Sequence, residues 1–418
     1  MKLTQKISAS MTSPVSLPRP SVEDVINATL GAEESLQAAD NIDAEMKTLS
    51  QRRDIGGRFL DDKEKEGKLT IAPEEITAEE LKAILAFTES LSEGTGAQYS
   101  TVMPSAESGY KPQAALESLK SLVSDFTKTI AELLQRLWEM IKDYWTLFET
   151  RIGALVNTAE AIIEKAEYQR GKVPTEQKVR LTERRYFTLL RYQNKYPGNF
   201  EKLESYYLGL ADTSGDLLTN WSGKVLKTGN NVMAAMNSIR EDNLDKVLAK
   251  ANTLTESLWE GLGAQYDKGV SLMGGMRVEY RSVDTDPSSD VNKARALQKN
   301  QVVIEKEEFQ LDGDSLTFKT LTPEEIIEMQ KKIISTAEGV FKFLKGNKLT
   351  TLESGAKQLI KTLQSQSDDD SKDKIRVLSD YTVAYTRWVK SPTMEISKLF
   401  VEVSRSVQGV CNDCLKAY

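Results

Sequence analysis

Apolar residues recur at intervals of three and four from Gln113 to Tyr168, and no proline interrupts them. This spacing places apolar side chains on one face of an α-helix, so we predict one long amphipathic helix, or two abutting helices with a continuous seam. Trp138 and Trp145 widen the stripe midway, which favours packing against neighbouring helices over a surface that meets membrane. The stripe consists of Leu116, Leu119, Val123, Phe126, Ile130, Leu133, Leu137, Ile141, Tyr144, Phe148, Ile152, Leu155, Ala159 and Ile162.

Upstream of this stripe the helical pattern begins at Ser21, where Ser21 and Asp24 form a capping arrangement. A second predicted helix ends at Gly94, and residues 94–112 are rich in Gly, Ser and Pro. We therefore predict an acidic, propeptide-like helical region over residues 1–93, a linker over 94–112 and a long-helix bundle over 113–274.

The pattern changes near residue 275. Residues 276–280 alternate apolar and polar positions, and Asp312-Gly313 between two short apolar runs is a hairpin signal. We predict a small β element at about 275–320 and a C-terminal helical region over 321–418, opened by Thr322-Pro323. The predicted fold is mainly α: an elongated helical bundle with one very long amphipathic helix and a small antiparallel β insertion.

The chain contains no histidine, which excludes Ser-His-Asp and Cys-His catalysis and histidine-based zinc sites. Cys411 and Cys414 are interpreted as ordinary reduced thiols, since a second cysteine pair is missing. We expect no cofactor and no enzymatic activity, although catalysis by carboxylates alone stays open. The sequence has no uncharged apolar run of membrane-spanning length, so we expect no stable membrane insertion. A helical membrane-active protein, in which residues 113–168 rearrange to insert, is the alternative function.

Charge is unevenly distributed along the chain. Up to Glu93 there are 11 Lys and Arg against 18 Asp and Glu, whereas the remainder has 44 of each. The net charge of −7 therefore lies entirely upstream of Gly94. Cleavage there would separate an acidic N-terminal region from a neutral remainder. An acidic segment that keeps a chain away from DNA until the segment is removed would have this charge distribution.

A twelve-residue segment occurs twice, as TESLSEGTGAQY at 88–99 and TESLWEGLGAQY at 255–266, while the flanking residues differ. Such a short island of identity suggests a peptide recognised by a protease or a shared partner; a helix stop used twice is the alternative. Trp259 and Leu262, which replace Ser and Thr of the first copy, favour burial and hence an uncut second copy. The candidate cleavage residues are Leu91, Glu93 and Gly94 in the first copy and Leu258, Glu260 and Gly261 in the second.

Residues 165–202 form the one clearly basic stretch, with ten Lys and Arg against four Glu and several interleaved aromatic residues. Basic side chains neutralise phosphates and aromatic rings stack on exposed bases, so this stretch is a candidate DNA contact. A solvated helix face is the ordinary alternative. The candidate contacts are Arg184, Arg185, Arg191 and Lys195, with Arg184, Arg191 and Lys195 expected on nearby turns of one helix.

Several short peptides resemble sites cut during phage maturation. Ser105-Ala-Glu107, followed by Ser108, resembles the Ser/Ala/Gly-x-Glu recognised by maturation proteases of some giant tailed phages. Leu91-Ser-Glu93, followed by Gly94, resembles the Leu-x-Glu site of T-even-like phages. Together with the helix LQRLWEMIKDYWTLF, the β insertion and a final helix that ends in LKAY, the chain resembles the internal head proteins of large tailed phages.

This resemblance implies a non-enzymatic virion protein, present in the host cytoplasm during assembly and then packaged in many copies inside the capsid. It implies contact with other virion proteins and with the prohead protease, which would cut at Glu93 or Glu107. It also implies proximity to packaged DNA, and in some members ejection with it. The neutral region downstream of Glu93 departs from members that are basic, which leaves mainly residues 165–202 to contact DNA.

Overall fold

The computed structural model describes residues 19–65, 112–181, 188–236, 244–283, 290–308, 316–345 and 372–418. The helices are α1 (Val22–Lys65), α2 (Pro112–Gln169), α3 (Phe200–Gly215), α4 (Ser222–Met236), α5 (Leu244–Tyr266), α6 (Asp290–Leu297), α7 (Pro323–Lys345), α8 (Lys372–Lys390) and α9 (Thr393–Lys416). A π-helical turn, Asp216–Trp221, joins α3 to α4. The strands are β1 (Lys178–Leu181), β2 (Val270–Leu272), β3 (Met276–Arg281), β4 (Gln301–Lys306) and β5 (Leu316–Lys319). The predicted mainly α fold with a small antiparallel β element is confirmed.

Helix α2 is 58 residues long and contacts α1, α7, α8 and α9. Every position of the apolar stripe from Phe126 to Ile162 is buried, as the spacing predicts. Helix α1 runs antiparallel to α2: Arg19, just before α1, lies near Glu160, and Gly31 packs on Leu147. The core of the protein is therefore arranged along the length of α2.

Helix α9 lies in the interior, with sixteen of its 24 residues buried. Several buried polar side chains on this helix are hydrogen-bonded across to its neighbours, which satisfies groups that have no access to water. The Tyr144 hydroxyl lies 2.6 Å from Ser397 Oγ and donates to the Met394 carbonyl at 2.8 Å. Gln408 Nε2 donates to the Leu155 carbonyl of α2 at 2.8 Å.

The β element consists of two separate antiparallel sheets. Strands β2, β3 and β4 form a three-stranded sheet, with helix α6 inserted between β3 and β4. Strand β5 pairs with the distant β1, so that Val179 lies opposite Phe318 and both side chains are buried. Residues 309–315, the other strand and the turn of the predicted hairpin, lie outside the described residues.

Two predicted helix starts are confirmed by their hydrogen bonds. The Asp24 amide donates to Ser21 Oγ at 3.1 Å and the Ser21 amide to Asp24 Oδ2 at 2.8 Å. The same reciprocal pair opens α7, where Glu325 N–H donates to Thr322 Oγ1 at 3.2 Å and Thr322 N–H donates to Glu325 Oε2 at 2.7 Å. Each pair satisfies two amides that have no partner within the helix.

We expect Tyr144→Phe to destabilise the protein by about 1–2 kcal/mol, since it removes a buried hydroxyl that bonds to both Met394 and Ser397. Urea unfolding followed by circular dichroism would measure the loss. Tyr168→Phe is the matched control, because the Tyr168 side chain is 77% exposed and should tolerate the change. Equal stability of the two variants would contradict the role assigned to the Tyr144 hydroxyl.

Candidate functional site

The first set of candidate cleavage residues falls between α1 and α2. Leu91, Glu93, Gly94, Ser105, Glu107 and Ser108 all lie within residues 66–111, outside the described residues. On either side, α1 ends at Lys65 and α2 begins at Pro112. A third peptide of the same type, Gly31-Ala-Glu33, lies inside α1, where Ala32 is buried and Gly31 packs on Leu147.

The second copy of the repeated peptide lies in α5. Leu258, Trp259 and Leu262 are buried, whereas Glu260 and Gly261 are exposed. The helix continues past Gly261 to Tyr266, so this glycine does not stop it. Proteolysis favours exposed loops, and cutting here would require local unfolding of a packed helix.

Trp259 is the centre of an aromatic cluster that joins four parts of the chain. Its ring lies 5.0 Å from that of Tyr280 in β3, nearly parallel, and 4.9 Å from that of Trp388 in α8, edge on. The Trp221 ring, at the end of the π-helical turn, lies 4.7 Å away. The Trp388 indole nitrogen donates to the Asn300 carbonyl at 2.8 Å. Packing therefore accounts for the tryptophan that distinguishes this copy from the first.

The acidic N-terminal region is in direct contact with α8. Asp43 of α1 lies 3.0 Å from the Arg387 guanidinium, and Asp40 lies 2.5 Å from the Lys390 ammonium. Lys390 is 5% exposed, so its charge is compensated largely by Asp40 rather than by water. These contacts attach the region predicted to be a propeptide to the C-terminal helices.

Glu395, in the first turn of α9, lies beside this contact. Its carboxyl is partly buried, with Oε2 inaccessible to solvent. Burial raises the pKa of Glu395 to about 7; Asp40 adds to the increase, and the backbone hydrogen bond and Lys390 oppose it. The carboxyl therefore changes charge near neutral pH, next to the site where α1 and α8 meet.

Of the candidate DNA contacts, Arg184 and Arg185 lie outside the described residues, and Arg191 is 2% exposed. Burial lowers the pKa of Arg191, while Tyr196 and Glu307 oppose that shift. The Arg191 carbonyl accepts from the Gly274 and Gly275 amides at 2.8 and 3.1 Å. Gly275 has a φ of 62°, which favours glycine, and a Cβ there would lie 2.4 Å from the guanidinium and displace it. Arg191 thus connects the basic stretch to the three-stranded sheet from the interior.

The expectation that Arg191 and Lys195 lie on turns of one helix is wrong. Tyr192 and Lys195 exchange two backbone hydrogen bonds of 2.9 Å around a two-residue turn. Gln193 and Asn194 have φ of 46° and 61°, as the tightest hairpin turns require. The Lys195 side chain is exposed at this turn.

Strands β1 and β5 present a basic surface. Lys178 lies directly opposite Lys319, and Arg180 lies opposite Thr317; all four side chains are exposed. Like charges opposite each other cost roughly 0.2–1 kcal/mol unless an anion compensates them. We call Lys178, Arg180 and Lys319 the basic ribbon. The sequence did not reveal Lys319 as a partner, because it is far from residues 165–202 along the chain and pairs with them only through the sheet.

Cys411 and Cys414 are free and buried in α9. Burial raises the pKa of both thiols, to about 12 for Cys414, so the reactive and metal-binding thiolate is scarce at neutral pH. Within the described residues, groups of three or more metal-binding side chains were not found. Over the same residues, none of the helices is long and apolar enough to cross a membrane.

Comparison with protein families gives a match to the phiKZ-like phage internal head proteins over residues 22–413. The chain belongs to this family. The match extends from the first turn of α1 almost to the end of α9, so it includes the acidic N-terminal helix as well as the bundle. Neither the curated proteins nor the solved structures contain a match to this internal head protein. Membership places it among the structural proteins inside the phage capsid.

We expect Glu395→Gln to change how stability depends on pH. Because the pKa of Glu395 is raised in the folded protein, the unfolded chain ionises first, and wild-type stability falls as pH rises from about 4.5 to about 7. At pH values near 8 the variant should exceed wild type by roughly 3 kcal/mol, and below about 4.5 the two should agree. Urea unfolding across this pH range is the measurement, with the exposed Glu34→Gln as control. A constant difference between Glu395→Gln and wild type would contradict the shifted pKa.

Proposed function

We propose that this internal head protein is a non-enzymatic component of the phage head, synthesised in the host cytoplasm and packaged inside the capsid with the genome. The family match over residues 22–413 carries this proposal. Other virion proteins are its expected partners.

We further propose that the prohead protease cuts the chain within residues 66–111, at Glu93 or Glu107. Support comes from their position in the chain, after the end of α1 at Lys65 and before the start of α2 at Pro112. Peptides of similar sequence at Glu33 and Glu260 lie in packed helices, where a protease needs local unfolding. The packing of those two helices favours cleavage within residues 66–111 instead.

Mass spectrometry of N-termini from purified virions should show a new terminus at Gly94 or Ser108, and protein from early infected cells should begin at Met1. Glu93→Ala combined with Glu107→Ala should abolish processing, because the protease would lack the acidic residue before each bond. Glu260→Ala is the matched control and should be processed normally. An intact Met1 chain in mature virions would refute the proposed cleavage.

We also propose that the basic ribbon contacts the phosphates of packaged DNA. Lys178, Arg180 and Lys319 are exposed on one face of the two-stranded sheet, and an anion would relieve the repulsion between Lys178 and Lys319. Lys195 and Lys202 add exposed cations from residues 165–202. Arg191 is left out of this surface, because its guanidinium is buried.

Lys178→Gln combined with Lys319→Gln should weaken binding of the full chain to a duplex DNA about tenfold. It should also reduce the slope of log affinity against log salt by about 2, since each phosphate contact releases about one counterion. Fluorescence anisotropy with labelled DNA measures both. Lys246→Gln combined with Lys250→Gln is the matched control, since it removes two exposed lysines of α5. Equal weakening by both pairs, or a wild-type protein that does not bind, would contradict a specific ribbon surface.

A further inference from the structure

Helix α1 contacts the rest of the protein through a regular seam, which consists of small residues in its first half and larger residues in its second half. Its buried positions alternate intervals of four and three, the spacing of a coiled-coil seam. Small side chains allow α1 to approach α2 closely, so that a Cβ on Gly31 would lie 3.0 Å from Leu147. The seam consists of Ala28, Ala32, Ser35, Ala39, Met46, Leu49 and Arg53, with Ile42 partly buried between them.

A ladder of ion pairs fixes the register of α1 against α8. In order along α1, the charges are negative, negative and positive, and the partners along α8 have the opposite signs in antiparallel order. The pairs are Asp40 with Lys390, Asp43 with Arg387, and Arg53 with Asp380. Shifting α1 by one helical turn would leave at most one of the two aspartates opposite a cation of α8 and would move Arg53 away from Asp380, which is costly for a guanidinium this buried.

None of these contacts depends on the chain between α1 and α2. The seam and the ladder lie wholly within residues 28–53, and their partners lie in α2 and α8. A cut in residues 66–111 therefore leaves the seam and the ion pairs in place, while it removes the covalent connection. The entropy lost on association is then the new cost of holding the two pieces together.

We propose that the groove between α2 and α8 is a binding site for the protein's own N-terminal fragment, which stays docked after the chain is cut. The biological setting rests on the proposed cleavage in residues 66–111. The mature protein is then a two-chain complex of an acidic fragment and a neutral body, and the fragment leaves only when the ion-pair ladder is broken.

The test uses the full chain with a recognition sequence for a site-specific protease placed within residues 94–111, before the start of α2 at Pro112. After cutting at about 0.15 M salt, both pieces should elute together from gel filtration and show the helical content of the uncut protein. Asp43→Arg puts two cations side by side and should raise the Kd of the cut pieces at least tenfold. Adding Arg387→Asp should restore co-elution, because the pair re-forms with exchanged signs.

Glu33→Lys is the matched control, since Glu33 is an exposed acid of α1 outside the seam, and it should leave co-elution unchanged. Separation of the wild-type pieces at this salt concentration would overturn the inference, as would equal dissociation by Asp43→Arg and Glu33→Lys. Because the engineered cut replaces the natural one, these outcomes are independent of whether the prohead protease acts on the chain.

Discussion

The continuous apolar seam of α2 is the constraint on which the rest of the structure depends. Its buried positions from Phe126 to Ile162 face α1, α7, α8 and α9, so helices from both ends of the chain share one surface. The N-terminal helix and the C-terminal helices consequently meet each other beside it. Asp40 and Lys390, 350 residues apart, form an ion pair only because both helices pack beside α2.

The helical framework could be predicted from the sequence because its signals are local and repeated. The stripe in α2, the Ser21–Asp24 cap and the Thr322–Glu325 cap all depend on residues within one or two turns of each other. The pairing of β1 with β5 could not be predicted, because it joins residues more than a hundred positions apart. The burial of Arg191 was missed for the same reason: Gly275 and Glu307, which enclose its guanidinium, lie far along the chain.

For the candidate site, too, local features could be predicted from the sequence and long-range contacts could not. The sequence indicated that the second copy of the repeated peptide would be packed, because Trp259 and Leu262 replace the serine and threonine of the first copy, and both side chains are buried. It also predicted proteolytic processing in the region between α1 and α2, which stays a prediction. Charge composition alone identified the N-terminal region as acidic, but not that three of its charges, Asp40, Asp43 and Arg53, are matched one by one on α8. This pairing depends on the relative positions of α1 and α8 in the folded protein, which charge composition does not reveal.

Two serines of α9 lie within hydrogen-bonding distance of buried tyrosines, and these contacts restrict how the helix can move. Ser397 and Ser404 are seven residues apart, on the same face of the helix, and they meet Tyr144 of α2 and Tyr207 of α3 respectively. A helix with only apolar contacts to its neighbours could slide or rotate at little cost in free energy, because one aliphatic contact would replace another. Here either movement would break both hydroxyl pairs at once and leave buried oxygens without partners. The two tyrosines therefore fix both the position of α9 along its axis and its rotation about that axis.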